Sequence, residues 1–305
     1  MADPLDTLDM DLLGPKKNLR GNLFSVFIPG SKLTQLTWEG AVKLQLHGLF
    51  DVPPNRTSQA VQHALNATKK KVFISPTTGL DNTVTIPIDP AAANAEGPHL
   101  QCTDNPATPQ DDRGTVDLSK PYGTGRGSDS WIFLTPQDYY PYANVPGLAP
   151  DEALLHELVH ALRDTRGQSR CVAVPPPAYL RRLSAPAQRK YSQEYENIEE
   201  FLAIVIANIY RSENQRPGLR TDDGNPLEPG SAPVLAYPFT DAEKFYGYWS
   251  AQLDGLCRQM LRLFIHLANV PAAWNPIRYS VMSVLHLDRS ERLRDFEATL
   301  TSNDW

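Results

Sequence analysis

The chain has 305 residues, 41% of them hydrophobic and 21% charged, with a formal charge of −6. That length and balance describe a globular protein of one large or two small domains, able to bury a substantial core. The negative charge, with no basic domain to offset it, excludes nucleic acid as the main partner, and no apolar run reaches the length of a membrane span.

The first residues, Met-Ala-Asp-Pro-Leu-Asp-Thr-Leu-Asp-Met-Asp, are acidic where a Sec signal is basic, and they lack its apolar stretch. The expectation is a protein translocated without a cleaved signal, or else a cytoplasmic one. Cys102, Cys171 and Cys257 are widely spaced and form no C-x-x-C pair, so free thiols are expected rather than a disulfide framework.

In chain order, residues 1–20 read as a flexible leader. Asn22 to Pro29 reads as a strand stopped by Pro29-Gly30. Leu36 to Leu49 is ambiguous: Val42, Leu44 and Leu46 alternate as in a strand, yet a short helix also fits. Thr57 to Lys70 carries Val61, Ala64 and Leu65 at helical spacing. Two short strands follow, Lys71–Ser75 and Asn82–Ile88, expected to form a hairpin through Thr77-Thr78-Gly79. Pro90 to Gly127 is a long loop rich in Pro, Gly, Asp and Asn. Ser130 to Thr135 (Ser-Trp-Ile-Phe-Leu-Thr) is the clearest strand and stops at Pro136.

The stretch Pro150 to Gly167 contains His156-Glu157-Leu158-Val159-His160, an H-E-x-x-H run that arises by chance in roughly one chain in a hundred of this length. It has the marks of a helix: Pro150 in the first turn, Asp151 and Glu152 at the positive end of the dipole, Arg163 and Arg166 at the other end, and Gly167 as a stop. Positions i and i+4 share a face, so two imidazoles can meet at one point with Glu157 beside it. This is the pattern by which a catalytic Zn²⁺ is held with a general base next to its water. Leu154, Leu155, Leu158, Val159 and Leu162 make the helix apolar nearly all round, and buried polar groups need partners; a metal supplies them.

A catalytic zinc takes a third protein ligand. Glu199 and Glu200 open the next apolar helix, expected from about Glu196 to Tyr210. Ala203 and Ile204 lie three and four residues beyond Glu200 on its face, so helix phase favours Glu200 over Glu199. Thr240-Asp241-Ala242-Glu243 reads as a capping box opening one long helix that runs to Pro271, and a last helical pair is expected within Pro276–Leu300. The expected fold is therefore α+β in a single domain at 21–305, with a small mixed or antiparallel sheet in 21–149 and a helical part at 150–305.

A His-Glu-x-x-His run followed by a glutamate on a later helix resembles the gluzincin arrangement of zinc metallopeptidases. The wider context, Gly125–Pro136, Asp151–Arg163, Asn208–Asn214 and Pro217–Arg220, is similar to the bacterial effector metallopeptidases: NleD of type III secretion and the peptidase domains attached to some VgrG spikes of type VI secretion. The similar stretch runs from about Ser128 to Arg220, under a third of the chain. The resemblance implies a zincin-like fold, Zn²⁺ on His156, His160 and Glu200, and Glu157 as general base in peptide-bond hydrolysis. It also implies an oxyanion donor, for which Tyr195 or Tyr191 is available, although the ordinary reading of each is a core tyrosine. In zincin logic the strand Ser130–Thr135 would offer a free edge to an extended peptide. The implied partners are a polypeptide substrate, an inhibitory immunity protein and a component of a secretion apparatus. Two other readings compete: a protein of this fold that binds a partner or cleaves another bond, and a structural-zinc interaction protein. Glu213 and Arg220 are left open as a supporting pair.

Overall fold

The computed structural model describes residues 38–51, 55–77, 79–80, 83–89, 126–170, 174, 195, 197–220, 241–287, 293 and 296–297, together with the backbone of strands at 10–12, 23–26 and 34–37. The strands are β1 (Met10–Leu12), β2 (Leu23–Val26), β3 (Thr34–Thr37), β4 (Val72–Ser75), β5 (Val84–Pro87) and β6 (Ser130–Phe133). The helices are α1 (Trp38–Phe50), α2 (Arg56–Asn66), the single turn α3 (Pro136–Tyr139), α4 (Pro150–Thr165), α5 (Ile198–Glu213), α6 (Ala242–Gln259), α7 (Leu261–Ala268) and α8 (Ile277–Val284). The described chain is α+β and mostly helical, as expected from the sequence.

The sheet that positions the site is mixed. β6 lies between β4, to which it is parallel, and β5, to which it is antiparallel. β1 runs parallel to β4 on its other side, so part of the stretch read as a leader is a strand. β2 and β3 pair apart, antiparallel. Two expectations are corrected here. β4 and β5 are not a hairpin, because β6 inserts between them, and β6 is therefore not an edge; among the described residues the outer strand on that side is β5. The ambiguous stretch at 36–49 is a helix, and its Trp38 donates its indole N–H to the Leu134 carbonyl at 2.9 Å.

Ile74 and Ile132 lie wholly buried on the face of the sheet toward the helices, while Phe73, Trp131 and Phe133 stack on the opposite face with ring centroids 5.1 and 5.9 Å apart. The alternation is what a sheet with one face on the core requires. α5 is the core of the helical part: from Phe201 to Tyr210 every side chain is buried, which accounts for its lack of a polar stripe. The expected long helix from Thr240 to Pro271 is instead broken. Asp241, not Thr240, is its N-cap, accepting from the backbone N–H of Glu243 and Lys244, and Met260 leaves helical geometry between α6 and α7. Beyond α8 the second member of the expected last helical pair falls largely outside the described residues. So do the 90–125 loop, Tyr191, Cys102 and Cys171; Cys257 is a free, buried thiol.

Candidate metal centre

α4 is fixed at both ends. Pro150 occupies its first turn, and its last turn closes with Gly167 N–H on the Asp164 carbonyl and Gln168 N–H on the Arg163 carbonyl, both at 3.0 Å, with Gly167 at φ +64°. This is the Schellman closure that a left-handed glycine permits. Its neighbour α5 begins at Asn197, whose side-chain oxygen accepts from the backbone N–H of Glu199 at 2.9 Å and Glu200 at 3.0 Å. The cap fixes where the first turn starts, and hence which of the two glutamates faces which neighbour.

The two carboxylates then part. Glu200 meets the histidines: its Oε2 lies 3.0 Å from His156 Nε2 and its Oε1 lies 3.0 Å from His160 Nε2. The two imidazole nitrogens are themselves 3.0 Å apart, with the rings nearly perpendicular at 74°. Glu199 points the other way and receives a two-pronged bond from Arg163, Nε to Oε2 at 2.8 Å and a terminal nitrogen to Oε1 at 2.9 Å, plus the Arg170 N–H at 2.8 Å. Arg163 and Glu199 are almost wholly buried, so this pair ties the end of α4 to the start of α5. At the opposite ends, Glu152 accepts from Arg211 and Arg216 at 2.7 Å each, and Asp151 from Arg216 and the Tyr210 hydroxyl. The two helices run antiparallel with a polar clasp at each end.

His156, His160 and Glu200 are the group of metal-ligating type among the described residues; no fourth His, Cys, Asp or Glu joins them there. Two imidazoles and one carboxylate are a donor set of catalytic zinc sites, and separations of 3.0 Å suit three donors sharing one ion at bond lengths of roughly 2.0–2.2 Å. The residues therefore fit a divalent ion. Without one the group must share a proton. Burial drives the His156 imidazole down to about 4, with the Glu200 carboxylate only partly opposing. Burial also works against the charged form of His160, but the Glu200 carboxylate, helped by Glu157 and Glu199, lifts it to about 10. Glu200 is held well below the ordinary carboxylate range: the two imidazoles outweigh its burial. The acid kept ionised suits a cation, and an ion bound there takes the place of the proton that His160 otherwise holds.

Glu157 is buried beside the ligands, and its Oε2 accepts from the Thr85 hydroxyl of β5 at 2.6 Å. Tyr195 precedes α5. It is 3% exposed, and its ring stands edge-on to Phe201 and Trp249 at 4.9 and 5.5 Å, the packing of a core aromatic. The phenol in the field of Glu157 is that of Tyr139: burial raises its pKa, the Glu157 charge adds to the rise, and Arg220 opposes it. Arg220 also acts on His156. Its backbone is locked to the Asn208 side chain by bonds of 2.7 and 2.8 Å, and its side chain lies across Gly147, where a Cβ would come within 2.3 Å of its Cδ. Glu213 has a different task from Arg220: its carboxylate accepts from Arg56 N–H, Thr57 N–H and the Thr57 hydroxyl at the start of α2.

Thr85 and Tyr139 were not found from the sequence as parts of the site, and Arg220 was raised there only as a supporting partner of Glu213. The available signal was slight, a threonine at the inward register of the strand Val-Thr-Ile-Pro, where an aliphatic residue is usual. The chain matches no family model, no curated protein and no solved structure.

Proposed function

We propose that this chain is a zinc-dependent metallopeptidase, with His156, His160 and Glu200 as metal ligands and Glu157 as general base. One observation carries the reading: two imidazole nitrogens and a carboxylate within 3.0 Å of one another, with a second buried carboxylate on the adjoining residue. When bound, the ion supplies Lewis acidity and brings the pKa of a water toward neutrality. Glu157 takes the proton from the attacking water and passes it to the departing amine. Arg220, whose charge acts on His156, and the Tyr139 phenol, which lies in the field of Glu157, are the groups from which charge on the substrate carbonyl oxygen would draw a partner. On the sequence resemblance, the reading extends to a secreted effector acting on a polypeptide of a target cell, restrained by an inhibitor protein in the producer if that target is bacterial.

The test is digestion of an unfolded protein such as casein by the purified chain with zinc, with chelator, and as Glu157→Gln. The expected outcome is zinc-dependent cleavage, with Glu157→Gln retaining one zinc per chain and losing activity by at least about a hundredfold. A Glu157→Gln variant that cleaves at the wild-type rate, or a zinc-loaded wild type that cleaves neither casein nor a random peptide library, overturns the reading.

A further inference from the structure

Thr85 is the buried residue of β5; its neighbours Val84, Ile86 and Pro87 are each half-buried. It is paired in register with Ile132, which is wholly buried, so both face the helices. A strand position of that kind favours Val or Ile, and a hydroxyl there must find an acceptor or forfeit its hydration. The acceptor is on α4. Thr85 Oγ1 stands 2.6 Å from Glu157 Oε2 and 3.2 Å from the Glu157 carbonyl oxygen. A threonine hydroxyl has one proton, and the shorter distance and the negative charge both assign it to the carboxylate.

We propose that Thr85 is a positioning residue for Glu157: from the strand bordering the sheet it holds one carboxylate oxygen of the general base and so fixes where that carboxylate points. The inference rests on the reading of Glu157 as that base. A glutamate side chain has three rotatable bonds, and a carboxylate free to swing spends little time where a proton transfer needs it. A bond from the backbone-locked, β-branched Thr85 removes most of that freedom at the cost of one acceptor site, since an ionised carboxylate has about four.

Thr85→Val has the same shape and lacks only the hydroxyl, and Thr85→Ser keeps the hydroxyl. With zinc and a fluorogenic peptide selected from the digestion above, Thr85→Val is expected to lower kcat by about ten- to a hundredfold, the range found for residues that orient a group at a metal site, with KM changed less than threefold. Zinc affinity should stay within twofold of wild type, because Thr85 touches the base and none of the ligands. Thr85→Ser should recover kcat to within about threefold. A second measurement needs no activity. In the metal-free protein, Thr85→Val should lower the melting temperature more in the native background than in a Glu157→Ala background, where only the longer contact to the backbone carbonyl is left to lose. A Thr85→Val enzyme with unaltered kcat, a Thr85→Ser enzyme as slow as Thr85→Val, or equal melting-temperature losses in the two backgrounds overturns the inference. Failure of the metallopeptidase reading looks different: wild type itself cleaves nothing. The catalytic role of Thr85 then falls with it, and the paired melting temperatures still decide whether Thr85 holds Glu157.

Discussion

Glu199 and Glu200 are adjacent, chemically identical and both turned away from solvent, yet the structure gives them opposite work. Glu200 faces two imidazoles; Glu199 faces a guanidinium. Their substitutions should therefore fail differently. Glu200→Ala is expected to abolish tight zinc binding, read as metal content after dialysis, while leaving a cooperative denaturant transition. Glu199→Ala strands the buried Arg163 charge without its partner and is expected to cost about 3–5 kcal/mol in chemical denaturation. If Glu200→Ala instead unfolds the chain and Glu199→Ala alone loses metal, the assignments are reversed. The distinction was legible in the sequence because helix phase is local: Ala203 and Ile204 mark the buried face of Glu200. The His-Glu-x-x-His run was legible for the same reason. The surroundings of Tyr195 were not, because its ring packs on Phe201 and Trp249, one of them more than fifty residues away in the chain.

Helices were easier to read than strand order. α4 announces itself through its end signals and α5 through its apolar run; the Asn197 cap, not read from the sequence, is worth testing because it sets the first turn that carries Glu200. Asn197→Ala is expected to cost about 1 kcal/mol of stability, measured in urea, and to weaken zinc binding through the looser first turn. Unchanged zinc affinity would show that the Arg163–Glu199 pair alone keeps Glu200 in place. Strand existence was likewise legible at 72–75, 84–87 and 130–133, but pairing was not. The Thr-Thr-Gly between β4 and β5 is an adequate turn signal, and nothing within that segment tells that Ser130–Phe133 will enter between them. Parallel pairing of β4 with β6 depends on the intervening chain and the helices that cover one face, which are non-local facts. The break at Met260 was hidden in the same way, since the apolar pattern continues through it.

For the molecule as a whole, the metal-free site ties stability to pH in a calculable sense. The unfolded histidines titrate near 6.5. His160 is raised to about 10 in the folded chain, so its contribution is complete below 6.5 and is lost as pH rises toward 10. His156 is lowered to about 4, so its contribution is present above 6.5 and is lost as pH falls toward 4. The melting temperature of metal-free protein, relative to that of a His156→Ala/His160→Ala variant, should therefore peak near pH 6.5. Saturating zinc, which takes the place of the shared proton, should remove the alkaline decline. A relative melting temperature that keeps climbing from pH 6.5 to 9 without metal would contradict this. The clasps at either end of α4 and α5, Glu152 with Arg211 and Arg163 with Glu199, bear on a different matter. They hold the three donors in register by contacts that do not involve an ion, so the cradle exists before its guest arrives. Capture would then resemble filling a mould rather than casting one: on the metal-site reading, stripping and reloading are expected to require no refolding, with cobalt or cadmium serving as a spectroscopic reporter.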